Sequence, residues 1–393
     1  MQGSHLSRHV LRFLTGITLA LMVLAAPALA QDRKVSTPQE LALALKETTG
    51  GVIVIAPGDY GDLVLAKRRF SRPVILRAEV PRKVVFGKIL VSDSENLWFE
   101  DLRTTAQFRA DRSKGLRLTG CASGNVLYFR DVADLSIDNC IVLGGQYNVL
   151  FNTVAHFEIT NSRIGGASED VMRITGDSHD GLVEGNFFDD VVAYPPTHPD
   201  LLQLFAQKGK TPHRITIRRN FMRDLHETGS PTRMAQGVFV SDPGPGGYQD
   251  ILIEDNTIYT RSPNTIYING GQKNVIVRNN TLLPSHGGGG AVIRLARKSG
   301  KDNSGTLVED NIAKQVLDET KRSTIGRNYI YGRKANLPAL FSGPGKRWQD
   351  FLPVLGTGPD KPGMGATDFL RDLLAAQKPG AKGGPQLGPD WSE

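Results

Sequence analysis

One short phrase recurs through the middle of this chain: an aliphatic residue, two polar or small residues, a small polar residue, one variable residue, then usually an apolar one. It occurs at 118–123, 137–142, 159–164, 183–188, 217–222, 253–258, 277–282, 308–313 and 325–330. The fourth position reads Cys121, Cys140, Ser162, Asn186, Asn220, Asn256, Asn280, Asn311 and Asn328, at intervals of 19, 22, 24, 34, 36, 24, 31 and 17 residues. A fixed phrase at such intervals, carried on short runs rich in Val, Ile and Thr and punctuated by Gly and Asn, is the mark of a β-solenoid. Paired-helix repeats lack this alternation. Asparagine suits the ladder because it tolerates a left-handed turn and its amide can bond to the asparagine one coil on. Cys121 and Cys140 are then neighbours in the stack, bonded or merely packed. The two longest intervals follow Asn186 and Asn220, and their extra residues must project as loops.

The expected fold is therefore all-β, a single-stranded right-handed parallel β-helix over residues 31–335. Thr37-Pro38-Gln39-Glu40 opens a helical stretch to Glu47, a natural plug for the open end of a solenoid. After Gly332 the chain turns rich in Gly, Pro and Lys, and residues 336–393 read as a tail packing over the last coils, with one helix near 367–376.

Arg8, His9 and Arg12 precede an apolar run from Phe13 to Pro27, and Ala28-Leu29-Ala30 fits a signal-peptidase site, so residues 1–30 read as a signal peptide. A periplasmic or secreted monomer, with no membrane contact after cleavage, is the expectation. The mature chain would carry 45 basic against 40 acidic residues, a lean that suits a polyanionic partner. Nucleic acid is not that partner, since there is no basic helix, zinc-finger spacing or aromatic RNA-binding motif.

The long coils share a second strand, aligned as Asp170-Val-Met-Arg-Ile, Asp200-Leu-Leu-Gln-Leu, Gln236-Gly-Val-Phe-Val, Asn264-Thr-Ile-Tyr-Ile and Ala291-Val-Ile-Arg-Leu. Period-two alternation turns Met172, Leu202, Val238, Ile266 and Ile293 inward and puts Arg173, Gln203, Phe239, Tyr267 and Arg294 in an outward column. Guanidinium pairs bidentately with carboxylate, and aromatic rings pack on sugar faces, so the column suits an anionic polysaccharide.

At the turn into the Asp200 strand lies Tyr194-Pro-Pro-Thr-His198-Pro199-Asp200, whose prolines restrict how His198 and Asp200 are presented. The adjoining loop supplies His226, Glu227, Arg233 and Gln236. Lys208 and Lys210 follow the strand, and His179 and His286 read as turn residues. On a uronate, β-elimination needs a cation to neutralise the carboxylate, a base to take the C5 proton and an acid for the glycosidic oxygen. His198 is the expected base and Tyr194 the acid; Arg233, Arg173 or Lys208 neutralises charge, and Asp200 orients the imidazole or contacts a hydroxyl. Reprotonation from the opposite face would instead give C5-epimerisation.

The cap helix, the Gly50-Gly51 turn and Pro57-Gly58-Asp59-Tyr60 resemble the start of pectate-lyase-like β-helix proteins, and the likeness runs over most of 36–332. Gly166-Ala-Ser-Glu169-Asp-Val-Met-Arg173-Ile-Thr, followed by Val183-Glu-Gly-Asn186-Phe-Phe, resembles the coil preceding the active site of the alginate lyase and chondroitinase B family. That family uses paired glutamates for calcium, a lysine base and an Arg-His pair. Here the corresponding positions offer Asp200, Gln203 and Lys208, with Ser241-Asp242 in place of Arg-His, so calcium is carried only by the resemblance and the residues themselves call for no cofactor or metal. His198-Pro199-Asp200 is similar in content, not in order, to the Asp-Pro-His-Asp site of mannuronan epimerases. A glycoside hydrolase would need carboxylates a water-width apart, with Asp170, Asp200 and Asp242 the candidates. A binding module without chemistry is the remaining alternative.

Overall fold

In the computed structural model, which describes residues 32–226, 232–285, 289–297 and 303–377, the strands form one sheet of 21 and one of 12. The chain is a right-handed parallel β-helix with three faces, and neighbouring coils pair in parallel throughout. Early coils run unbroken around one corner as 12-residue strands, Phe108–Thr119, Leu127–Asp138 and Val149–Thr160. Later coils split there in two, as in Met172–Thr175 and His179–Glu184, or Asp200–Phe205 and His213–Arg218. The second corner holds the ladder, and the Phe187–Phe188 and Phe221–Arg223 strands that follow it belong to the smaller sheet.

At the ladder corner the structure corrects one detail. The left-handed backbone falls not on the ladder asparagine but on the residue before it: Asn139, Asn161, Gly185, Arg219, Asp255, Asn279 and Asp310 all have φ between 49° and 67°. That bend turns the next side chain into the interior, and Asn186, Asn220, Asn256, Asn280 and Asn311 are fully buried. Each can be buried because its amide is fully used. Asn220 Nδ2 donates to Val183 O in the preceding coil (3.0 Å) and to Asn256 Oδ1 in the next (2.9 Å), and its own Oδ1 accepts from Asn186 N and Nδ2. The pattern repeats through Asn256, Asn280 and Asn311 to Asn328. Cys121 and Cys140 are buried and unbonded, packed as the ladder's first two rungs, and burial pushes the Cys140 thiol pKa well up.

Inside, Phe99, Phe108, Phe129, Phe151 and Phe157 make a continuous aromatic run with centroids 5.0–5.7 Å apart, and from Ile174 onward the core on this face is aliphatic. Every residue assigned inward by alternation, from Met172 to Ile293, is buried. Helix α1 (Pro38–Glu47) closes the open end with Leu41, Ala44 and Leu45, its start fixed by Thr37 Oγ1 accepting from Glu40 N.

The C-terminal segment packs on the later coils. Trp348, Phe351, Phe369, Leu370 and Leu373 lie against Phe187, Phe221, Tyr259, Leu283 and Ile312, so the segment runs along the outside of five of them. Its helix α2 spans Thr367–Ala376. Among the described residues no helix is long and apolar enough to cross a membrane; residues 1–30, read as a signal peptide, lie outside them.

Candidate active site

The outward column forms as a straight line across five coils: Arg173 pairs with Gln203, Gln203 with Phe239, Phe239 with Tyr267, and Tyr267 with Arg294. At about 4.8 Å per coil the line is roughly 19 Å long. Phe239 and Tyr267 stack with centroids 4.5 Å apart. Arg173 lies over the Tyr147 ring at 4.1 Å and also binds Asp170 and Glu169. Arg294 is committed to Glu319 at 2.6 Å and borders a second recess with Lys314 and Arg333.

Two long connections, 189–199 and 224–235, lead into the strands at Asp200 and Gln236; Glu227 lies outside the described residues, as does His286. They meet where Arg233 N donates to Ala193 O (2.6 Å). Beneath them Asp190, Asp224 and His226 converge. Asp190 accepts from Leu225 N, and Asp224 accepts from Ala235 N and His226 Nδ1. Burial, with Asp189 and Asp224 close by, pushes the Asp190 pKa to about 6, while the bond to Asp224 raises that of His226. His226 is thus tied to Asp224 through both its backbone N–H and its ring.

A buried polar line runs behind the column. Asp200, wholly inaccessible, donates its N–H to Asp170 Oδ1 (2.8 Å), and its own Oδ1 accepts from Gln236 Nε2 (2.8 Å). Gln236 Nε2 also lies 3.1 Å from His198 Nδ1, and Gln236 Oε1 accepts from Asn264 Nδ2 (2.6 Å). Asp200 Oδ2 and Asn264 Oδ1 are buried without hydrogen-bond partners. Burial first, and the Asp170 charge second, hold the Asp200 pKa well above the usual carboxylate range. Asp170 is also raised by burial, against the pull of Arg173. His198 stands exposed at the end of this line, its ring 6.2 Å from that of Phe239.

Several expected roles change with this geometry. Asp200 reaches the imidazole only through Gln236, and Gln236 is itself buried, a bridge more than a sugar contact. Tyr194, 54% exposed, begins the turn that carries His198, and Arg233 is exposed on the facing loop. Lys208 sits in the exposed Gln207–Lys210 turn beyond Phe205, so the whole Asp200–Phe205 strand, about 17 Å, separates it from His198. His179 is not a turn residue: it opens a strand and stacks on His213 at 5.0 Å. Asp242 follows the far end of its strand, whereas Asp170 and Asp200 sit at the near end of theirs and are joined directly, Asp200 N donating to Asp170 Oδ1.

Among the described residues, two groups of side chains lie close enough to share a metal ion, His156–His179–Asp180 and Asp190–Asp224–His226. Neither includes the residues that the resemblance offers for calcium. Asp200 points inward and Gln203, three residues on, points outward, so these two do not fit one calcium ion. Sequence alignment had already placed Asp170, Asp200, Gln236 and Asn264 at one strand position; read as a column, those four letters would have announced the buried line. Tyr147 and Glu169 beside Arg173 carried no such signal. A further cleft, lined by Glu184, Arg219, Asp255 and Asp368, lies under α2, away from the column.

No family model and no curated protein matches this chain. Among solved structures it is similar to the Streptococcus pneumoniae surface protein and adhesin PfbA, with TM-score 0.51 and 12% identity over 74% of this chain and 94% of that one. The mannuronan C-5 epimerase AlgE6 A-module of Azotobacter vinelandii aligns with TM-score 0.47 and 12% identity, over 77% and 93%. The PL6 family alginate lyase AlyGC aligns with TM-score 0.46 and 16% identity over 72% of this chain, which spans 47% of that enzyme's length. The likeness at these identities is one of fold, and the chain is a right-handed parallel β-helix.

Proposed function

We propose that this chain cleaves an acidic, uronate-containing polysaccharide by β-elimination, with His198 taking the C5 proton. The observation that carries the reading is an exposed imidazole held from behind by a buried amide and carboxyl, beside a column of arginines and stacked rings.

A base must present a bare nitrogen to the substrate, so the His198 proton has to sit on Nδ1, facing Gln236. A half-turn of the Gln236 amide provides for this. Oε1 then accepts from His198 Nδ1 and from a protonated Asp200, and a matching half-turn of the Asn264 amide brings its otherwise unpartnered Oδ1 round to accept from Gln236 Nε2. A carboxyl that keeps its proton is what the burial of Asp200 beside Asp170 supplies. Asp200 is then a neutral donor that fixes the imidazole tautomer.

Arg233 and Arg173 neutralise the substrate carboxylate, which acidifies the C5 proton. Phe239, Tyr267 and Gln203 hold the sugars, and Tyr194 returns a proton to the leaving oxygen. Lys208 has no part in this scheme. Export through residues 1–30 would bring the enzyme to its polymer in the periplasm or outside the cell.

The test is direct. Purified protein is mixed separately with alginate, polygalacturonate and glycosaminoglycans, and the ultraviolet absorbance of the unsaturated product is followed. One polymer should give a signal that His198→Ala abolishes. Solvent deuterium entering C5 without chain cleavage would make the enzyme an epimerase, and binding without either would make it an adhesive module. No reaction and no binding with any polyuronate overturns the reading.

A further inference from the structure

The outward column does not begin at Arg173. The register runs back without a break through Leu150 and Tyr128 to Arg109, three coils or about 14 Å nearer the capped end. There Arg109 lies over the Tyr128 ring at 4.9 Å and binds Asp111 through Nε and Nη2 at 2.6 and 3.2 Å. Arg130, opposite Asp111 in the next coil, brings its Nε within 2.7 Å of the same carboxylate, yet that Nε makes no hydrogen bond. Two guanidiniums therefore share one acid and leave an excess positive charge. Both arginine side chains are more than one-third exposed, whereas Asp111 is only 12% exposed. The residues that flank the pair in register, Ser92 beside Asp111 and Asn152 beside Arg130, carry no charge to cancel the excess.

We propose that Arg109, Tyr128 and Arg130 form a distal subsite for a carboxylated sugar of the same polymer chain that reacts at His198. This rests on the polyuronate reading above. Tyr128 offers a ring to a sugar face and the guanidiniums offer a bidentate partner for its carboxylate. Leu150, half-buried between Tyr128 and Arg173, leaves an apolar step that a sugar ring can cross. A sugar and its linkage cover about one coil spacing, so a long chain lying on the column reaches the subsite and a trimer held at His198 does not. The groove then selects for length, with Asp111 holding the two arginines in place when no polymer is bound.

Equilibrium binding of uronate trimers and nonamers, measured by calorimetry in the cleavage-impaired His198→Ala protein, tests this. The nonamer should bind at least tenfold more tightly than the trimer. Arg109→Gln with Arg130→Gln should remove about tenfold from nonamer affinity and leave trimer affinity unchanged. Tyr128→Leu keeps the ion cluster intact and should give the same length-selective loss, which guards against a folding defect caused by an unpaired Asp111. Equal losses for both lengths, or none for either, overturn the distal subsite while the polyuronate reading stands. Absence of binding to either oligomer by the parent protein overturns both.

Discussion

The coils before Asn186 and those after it are built on one plan and differ in what is added. Before it, coils of 19–24 residues carry strands that are unbroken as far as Thr160, a phenylalanine core and a ladder of cysteine and serine. After it, the ladder becomes asparagine, every strand pair stays split at the first corner, and two connections swell to hold Tyr194, His198 and Arg233. The comparison teaches that minimal coils make a platform, while insertions make a site only where something beneath them is rigid. Asparagine supplies that rigidity, since each rung ties three successive coils together, a linkage the Cys121 and Cys140 thiols do not make.

The largest effect that would break this contrast is His198→Ala. It should lower turnover by about 10²–10⁴-fold, the usual contribution of a positioned base, with the melting temperature unchanged because the side chain is exposed; a loss of stability in parallel would place His198 in the scaffold. Next comes Asn256→Ala, which strands the amides of Asn220 and Asn280 and should cost about 3–5 kcal/mol in urea unfolding. Cys140→Ala in the earlier ladder should cost only about 1 kcal/mol, and equal costs would erase the distinction between the two halves.

Asp200→Asn and Asp200→Ala sharpen the role of the buried line. If Asp200 works as a neutral donor, the asparagine variant keeps activity within a few-fold, whereas the alanine variant loses about tenfold or more in kcat. The opposite ranking would make the charge essential.

Asp190 gives a smaller, pH-dependent effect. Its pKa is raised from 3.8 to about 6, so the folded chain holds a proton that the unfolded chain has released. The stability associated with it is present below about pH 4 and is lost as pH rises to about 6. Asp190→Asn should therefore melt progressively higher than the parent between pH 4 and 6, and a difference independent of pH would refute this. The smallest effect belongs to Lys208→Ala, which should leave kcat/KM unaltered.

The fold was legible because its cause is periodic. Asn186, Asn220 and Asn256 repeat a chemical necessity once per coil, and the alternation through Arg173, Gln203 and Phe239 needs nothing beyond the strand pleat. Two things were misread for local reasons. The left-handed residue is adjacent to the ladder residue, and in Asn279-Asn280 both are asparagine, so sequence cannot say which one bends. Lys208 looked close to Asp200 because eight residues are few, yet six of those positions form an extended strand. The bridge from Asp200 through Gln236 to His198 joins a strand, the next coil and a loop, and no single stretch of sequence contains it.

The strip formed by Trp348, Phe351 and Phe369 has a mechanical consequence. A solenoid coil ordinarily touches only its two neighbours, so such stacks can fray from an end one layer at a time. A strap bonded across Phe187, Phe221, Tyr259, Leu283 and Ile312 couples layers that are four apart. Losing one of those layers means peeling the strap from all five. The coils that carry His198 and the aromatic column should therefore melt as one cooperative block, buffered from any unwinding that starts at the C-terminal end.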